Sequence, residues 1–376
     1  MIEACEPCLR RSHLIGHLAP RIAGLLGRPK RRAPGLLALS EDDLIAAVAG
    51  DGAAPARRFL EEFDPRAARR RIDERELRAL CRHEAAYPAA LRQLDDPPAV
   101  LFIAGRGRQL ERLDERPAVA IVGSRDASGY ALEVARDLGR DLAVAGVTVV
   151  SGLALGADAA AHRGALDGGG RAVGVVACGP DVVYPRLNRP LYRRVCASGA
   201  VLAELPPGQP VFRWAFPARN RIMAGLSDLT VVVEAAERSG SLITAAFAES
   251  LNRNVGAVPG RVTARNAAGP NKLLRDGASV IRDAADVLDE LFGVGGGHRD
   301  ATQLELEAAA RAERASALDP VLRCVLDGIE AGDGLDAIAR TAKLSSARIR
   351  AALGRLELLG LVVRAGVGRY ERSAQR

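Results

Sequence analysis

Pro117–Gly152 narrows the folds open to this chain more than any other stretch. It reads PAVAIVGSRDASGYALEVARDLGRDLAVAGVTVVSG. A short apolar, β-branched run, Ala118–Val122, stops at Gly123-Ser124-Arg125. A segment of helical period follows, and a second apolar run, Val147–Val150, stops at Ser151-Gly152. Two strands joined by a helix of this length pair in parallel through a right-handed crossover. Ligands of open α/β sheets sit at the carboxyl ends of such strands. Gly123 lets a backbone approach closely, the Ser124 hydroxyl and the next helix's amides can hold an anion, and Arg125 carries a planar fork suited to phosphate. A plain strand-to-helix turn with an exposed arginine accounts for the same three residues equally well. The spacing Gly123 to Gly129 is not the G-x-G-x-x-G fingerprint, so NAD is disfavoured.

The alternation continues downstream. Strands are expected at 99–104, 172–177, 200–205, 229–234, 255–258 and 280–281, with helices near 190–197, 220–225 and 242–252. Repeated β-α units at this spacing predict a doubly wound parallel sheet. Residues 1–75 read as a small helical domain, with a capping-box-like Ser40-Glu41-Asp42-Asp43, a helix-hairpin-helix-like break at Gly50–Gly52, and helix-compatible runs at 57–63 and 72–80. Residues 76–292 form the α/β domain, and a glycine-rich start at Gly293–Gly297 opens a charged linker to 317. In residues 318–376, three helical patterns precede Leu361–Arg364, a Gly366–Gly368 turn and Arg369–Arg372. That order predicts a winged helix, with Arg348, Arg350 and Arg355 on the recognition helix.

With 376 residues, 48% of them hydrophobic, the chain can bury a sizeable core, and a net charge of +7 is compatible with a polyanionic partner or with solvated arginine-rich faces. No run of 18 apolar residues occurs, and Met1–Arg11 is acidic and cysteine-bearing, so a cytoplasmic protein without a membrane segment is expected. The six cysteines are too few for a secreted disulfide framework in so long a chain. Cys5-x-x-Cys8 is half of a zinc pattern, His13 and His17 stand one helical turn apart downstream, and Cys81-Arg82-His83 offers another half. No second C-x-x-C completes it. Incidental thiols are the preferred reading, and no metal is assigned.

Three further stretches bear on chemistry. Ser151–Asp158 alternates small residues before a helix start, and His162 lies one turn beyond Asp158; helix capping explains the pair more simply than catalysis. In Phe212–Arg221, three aromatics including the only tryptophan are interleaved with arginines, the pattern that stacks and neutralises single-stranded nucleic acid, although aromatics at period two share a face and can plug the interior. Arg219 and Arg221 are then the safer DNA contacts, expected to stay solvent-accessible. Ser239-Gly240-Ser241 opens another helix, so three phosphate-ready loops are expected at one sheet edge, where they suit a run of phosphates. Neither a Walker A loop, H-E-x-x-H nor a G-x-S-x-G elbow is present, and neither catalytic residue nor cofactor is assigned.

These residues together resemble the DNA-processing protein A (DprA/Smf) family. The matching motifs are AIVGSR (120–125), VVSGLALGADAAAHRGAL (149–166), ACGPDVVYPRLNRPLY (177–192), ELPPGQPV with FPARNRIMAGLSD (204–228), VVEAAERSGSLITA (232–245) and AVPG with GPNKLLRDGA (257–278). The resemblance implies an extended Rossmann-like domain that binds single-stranded DNA without catalysis, forms a homodimer and helps load the RecA recombinase during natural transformation. By motif it places Gly123, Ser124, Arg125, Gly152, Arg219, Asn220 and Arg221 in the DNA pocket, with Ser239, Gly240 and Ser241 close by. Leu155 departs from the pattern, since the family often has a basic residue in that loop. Two rivals stand beside it. One is a nucleotide phosphoribohydrolase similar to the "lonely guy" hydrolases, although Glu234 and Ser239–Leu242 lack their double glycine and following glutamate. The other is a winged-helix regulator with a vestigial Rossmann domain.

Overall fold

The apolar runs form the middle of a nine-stranded, mostly parallel sheet in the computed structural model, which describes residues 4–26, 34–105, 116–293, 319–330, 335–342, 344–358, 362–366 and 369–372. Helices α1 (Glu6–Leu26), α2 (Pro34–Leu37), α3 (Glu41–Val48), α4 (Ala53–Glu61) and α5 (Pro65–Asp73) come first. Then follow β1 (Arg78–Cys81), α6 (Ala89–Arg92), β2 (Val100–Ala104), β3 (Ala118–Val122), α7 (Gly129–Val144), β4 (Thr148–Ser151), α8 (Ala157–Asp167) and β5 (Ala172–Val176). The unit closes with α9 (Arg189–Ser198), β6 (Ala200–Ala203), α10 (Ala215–Leu226), β7 (Leu229–Val232), α11 (Ser241–Ser250), β8 (Asn254–Ala257), α12 (Ala268–Arg275), β9 (Ser279–Val280) and α13 (Ala284–Phe292).

Strand order is β1-β2-β6-β5-β4-β3-β7-β8-β9, antiparallel at β1–β2 and β2–β6 and parallel elsewhere. The chain runs outward from β3 through β4 and β5 to β6, then returns to lay β7 on the other side of β3. That reversal makes a switch point beside the carboxyl end of β3, where a doubly wound sheet opens a crevice. Both faces of the sheet are covered, which is why its strands read as near-continuous apolar runs. Val119 and Ile121 pack with Ala131, Ala135, Leu138 and Leu142 of α7, while Ala118 and Val122 face Ile222, Met223 and Ala224 of α10 and Ala245 and Ala248 of α11.

The N-terminal helices share a core with the sheet's end. Leu14, Leu18 and Ile22 of α1 and Leu44 and Ile45 of α3 cluster with Ala177, Leu205, Trp214 and Ala218. The Trp214 indole donates to the Ala19 carbonyl at 3.0 Å. The chain divides into two compact units, Met1–Leu166 with Gly170–Gly296, and Asp167–Gly169 with Gly297–Arg376. In the second unit α14 (Pro320–Glu330), α15 (Leu335–Thr341) and α16 (Ser346–Leu358) bury Val325, Leu353 and Leu356, and β10 (Val362–Gly366) pairs antiparallel with β11 (Arg369–Arg372). Linker residues 294–317 and the 367–368 turn lie outside the described residues. No described helix is long and apolar enough to cross a membrane.

Several sequence expectations are corrected. Residues 72–80 are not one helix: α5 ends at Asp73, Glu76 takes a left-handed φ of 53°, and Arg78–Cys81 is an edge strand. Four residues carry too little periodicity to announce a strand. The helix expected at 220–225 begins at Ala215, because Pro217 falls in its first turn, where a missing N–H costs nothing. Trp214 therefore precedes the helix and Phe216 lies within it, yet all three aromatics turn to the same core: Trp214 is buried in it, Phe212 stacks on Trp214, and Phe212 and Phe216 are partly buried against it.

Candidate nucleic-acid interface

The loops after β3, β4 and β7 meet at the switch point, and Asp158 at the start of α8 organises the first two. Its carboxylate accepts the Gly152 N–H at 3.1 Å and gathers the Gly123 and Ala154 amides; burial raises its pKa, while Arg219 and these amides pull it back. Backbone bonds complete the junction, with the Ala157 N–H donating to the Ser124 carbonyl at 3.1 Å and the Val233 N–H to the Val122 carbonyl at 3.0 Å. Gly123 must be small here. A Cβ would sit 2.6 Å from the Ala157 Cβ and 3.2 Å from the Glu234 carbonyl. At Gly152 an added Cβ would come within 2.5 Å of the Arg219 guanidinium.

Arg125 is the exposed cation of this junction. Its guanidinium stacks over the Phe216 ring, 4.8 Å from the centroid, and Phe216 in turn meets the exposed Tyr184 at 5.9 Å. Arg125, Gly152, Ala154, Leu155, Tyr184, Pro185 and Phe216 line a small recess open to solvent. Stacking on a flat ring holds the guanidinium plane while leaving its N–H edge free for an anion. Tyr184 was not among the site residues expected from sequence, although an exposed aromatic in Tyr184-Pro185-Arg186 was a readable signal.

Arg219 and Arg221 are not solvent-accessible, which corrects the sequence expectation. Arg219 is 7% exposed and donates to the carbonyls of Gly152, at 3.0 Å, and Val175, tying the ends of β4 and β5 to α10. Burial lowers its pKa to about 10, against the opposing pull of Asp158. Arg221 is 1% exposed, and all five of its N–H donors are occupied: Nη1 and Nη2 grip Glu204 at 2.9 and 2.7 Å, Nε donates to the Asp96 carbonyl at 3.3 Å while lying 2.9 Å from the Asp96 carboxylate, and the carbonyls of Ala218 and Asp96 accept the rest. Starting α10 at Ala215 turns both residues inward. An arginine in an apolar stretch reads the same from sequence whether it serves a ligand or a buried ion pair.

Asn220 is a bridge. Its amide donates to the Gly240 carbonyl at 3.0 Å and its oxygen accepts Arg219 Nε at 3.2 Å, so α10 holds the loop before α11 in place. In that loop the Ser239 and Ser241 hydroxyls are 2.7 Å apart, at the amino end of α11, whose first-turn amides favour an anion. The structure thus assembles Gly123, Ser124, Arg125, Gly152, Asn220, Ser239, Gly240 and Ser241 at one edge and places Arg219 beneath it. Arg221 is committed elsewhere. Glu234 is 8% exposed and accepts the Ser128 N–H at 2.8 Å, so its carboxylate is engaged at the start of α7.

His162 is fully buried, with Nε2 3.2 Å from the Val173 carbonyl and Nδ1 without a partner. Burial pulls its pKa down to about 4. Because the folded value lies below the unfolded one, the unfolded chain takes up the proton first, and stability falls as pH drops from about 6.5 toward 4. His162→Gln should remove on the order of 2–3 kcal/mol of the acid-induced loss between pH 7 and 4.5. Urea melts of both proteins at the two pH values measure it; identical pH slopes would refute it.

Of the metal candidates, Cys5, Cys8, Cys81 and His83 come together, with ligand atoms within 4.8 Å of one another. His13 and His17 do not join them. His13 Nδ1 is 2.8 Å from the Leu9 carbonyl, and His17 stacks on Phe59 at 4.4 Å.

Residues 78–292 match the family described as DNA recombination-mediator protein A. Protein Smf from Synechocystis is 36% identical over 309 residues, covering 76% of this chain and 78% of that protein. DNA processing protein DprA from Bacillus subtilis is 37% identical over 64% of this chain and 80% of its own. Among solved structures, DprA from Streptococcus pneumoniae superposes with a TM-score of 0.59 at 30% identity, over 75% of this chain and 95% of that one. A DprA structure from Helicobacter pylori, described for its single-stranded DNA binding mode, gives 0.52 at 29% identity over 57% and 95%.

Proposed function

The chain belongs to the DNA recombination-mediator protein A family, and from that premise we propose that it is a non-catalytic single-stranded-DNA-binding protein acting in DNA processing, recombination and transformation. The observation that carries this reading is Arg125, exposed and stacked on Phe216 where the β3, β4 and β7 loops converge. Serine hydroxyls, loop amides and the amino end of α11 surround a position for successive phosphates, and Phe216 and Tyr184 offer faces to a base. The phosphoribohydrolase alternative relies on a double glycine and a following glutamate that this loop lacks, and Glu234, which precedes the loop, is buried and accepts a backbone N–H.

The family assignment supports three finer parts of the proposal: a homodimer, a handover of the strand to RecA, and a winged helix built from α14–α16 with the β10–β11 hairpin. Arg348, Arg350 and Arg355 are exposed on α16, which suits docking to DNA or to protein.

Binding should favour single strands over duplex, depend little on base sequence and weaken steeply with salt. Four to six phosphate contacts would give a log–log slope of roughly −3 to −4. Mobility-shift titrations of both DNA forms at several salt concentrations check it. A flat salt response, or hydrolysis of a nucleoside monophosphate by the purified protein, would overturn the reading.

A further inference from the structure

The first turn of α1 and the end of β1 bring together three thiols and an imidazole that the DNA site does not use. Cys5 precedes α1, Cys8 lies in its first turn, Cys81 ends β1 and His83 follows in the turn. His83 Nδ1 is 3.4 Å from the Cys5 sulfur and 3.3 Å from the Cys8 sulfur, across as many as 78 positions of sequence. All four ligand atoms lie within 4.8 Å of one another. Tetrahedral zinc with its usual bond lengths holds sulfur and nitrogen ligands roughly 3.5 Å apart and sulfurs roughly 3.8 Å apart. The cluster already has nearly that size.

We propose that Cys5, Cys8, Cys81 and His83 bind one zinc ion in a closed, structural Cys3His site that pins α1 to the edge of the sheet. Three thiols lose their protons on binding, and the imidazole coordinates through Nδ1 while keeping its proton on Nε2, so three thiolates and a dication leave the site with one negative charge. Arg82, between two of the ligands, places a cation beside it. Two short knuckles, C-x-x-C and C-x-H, each fix a pair of ligands locally, and folding of β1 against β2 brings the pairs together.

Several features favour a metal over incidental thiols. Cys8 and Cys81 are buried and all four side chains converge on one point, whereas Cys178, Cys196 and Cys324 join no such cluster among the described residues. The surrounding backbone is held from several sides: the Cys81 N–H donates to Glu84 at 2.9 Å, and Arg69 reaches the Ala4 carbonyl at 3.0 Å. Four protein ligands leave no open position, so the role is structural and not catalytic.

The test uses the full chain, expressed without a metal-binding tag and purified without chelator. Mass spectrometry should find about one zinc per chain, lost in Cys8→Ser and in Cys81→Ser and retained in Cys196→Ser. Chelation under reducing conditions should lower the melting temperature, and zinc should restore it. Co2+ added to the stripped, reduced protein should give intense tetrahedral thiolate–cobalt absorption that saturates at one equivalent and is displaced by zinc. If a serine variant fails to fold, the cobalt titration of the unaltered chain decides. No tetrahedral cobalt spectrum, zinc content unchanged by Cys8→Ser, or a Cys5–Cys8 disulfide that persists in reducing buffer would each overturn the site.

Discussion

Arg221→Met should lose about 3–5 kcal/mol of folding stability, although it deletes a residue that the chain's sequence offers as a DNA contact. The guanidinium is saturated by Glu204, Asp96 and two carbonyls, joining α10 to the loop before β2 and to the end of β6. Burial works against its charge, yet Glu204 and Asp96 hold its pKa above the ordinary arginine value. Removing it strands two carboxylates in a poorly hydrated place, which costs more than the pair itself was contributing. The penalty should depend on pH with a definite sign. Burial pushes Asp96 up to about 6, with Arg221 pulling it down and Glu204 adding to the rise. A carboxyl raised in the folded state favours folding at low pH and loses that contribution as pH climbs from about 4 through 6. Without Arg221 the rise grows, so the deficit should be smaller at pH 5 than at pH 8. Arg221→Met combined with Glu204→Gln should recover part of it. Guanidinium melts at the two pH values provide the measurement; a deficit below about 0.5 kcal/mol at both would mean that the ion pair does not hold the fold.

The contrast between Arg221 and Arg125 marks where the sequence stopped being readable. The β-α-β unit at 117–152 was legible because apolar runs of five and four residues, separated by an amphipathic helix, admit few other folds. The convergence of the β3, β4 and β7 loops followed from that, since parallel strands deliver their carboxyl ends to one edge. Which arginines point into the crevice did not follow. That depends on where α10 begins, and Pro217 is compatible with a first turn starting at Ala215 as well as with a loop. The partners that bury Arg219 and Arg221 lie on other elements: Asp96 before β2, Asp158 on α8 and Glu204 after β6. The two halves of the cysteine cluster were readable as C-x-x-C and C-x-H, but their meeting was not, for a related reason. β1 has four residues, too few to show a period, yet its pairing with β2 is what carries Cys81 and His83 to α1.

Arg125→Ala should weaken single-strand binding by about 1–3 kcal/mol, roughly 5- to 150-fold in dissociation constant, while leaving the melting temperature nearly unchanged. The side chain is exposed, and its contact with the Phe216 ring lies at the surface of the recess, so little of the fold rests on it. Its contribution to binding would come from charge and shape together. Losing one phosphate contact should lower the magnitude of the salt slope by about 1. Arg125→Lys should restore the slope and only part of the affinity, because a lysine keeps the charge but lacks the planar fork that lies flat on the ring. Phe216→Leu should leave the charge in place and remove the platform, so affinity falls on the order of 1 kcal/mol with an unaltered slope. Arg221→Met supplies the opposite pattern, with stability lost first and binding lost only where the protein unfolds. One salt series and one thermal melt for each of the four variants separate these cases. Normal binding by Arg125→Ala, or binding lost only in step with unfolding, would remove Arg125 from the DNA site and move the search to the exposed arginines of α16.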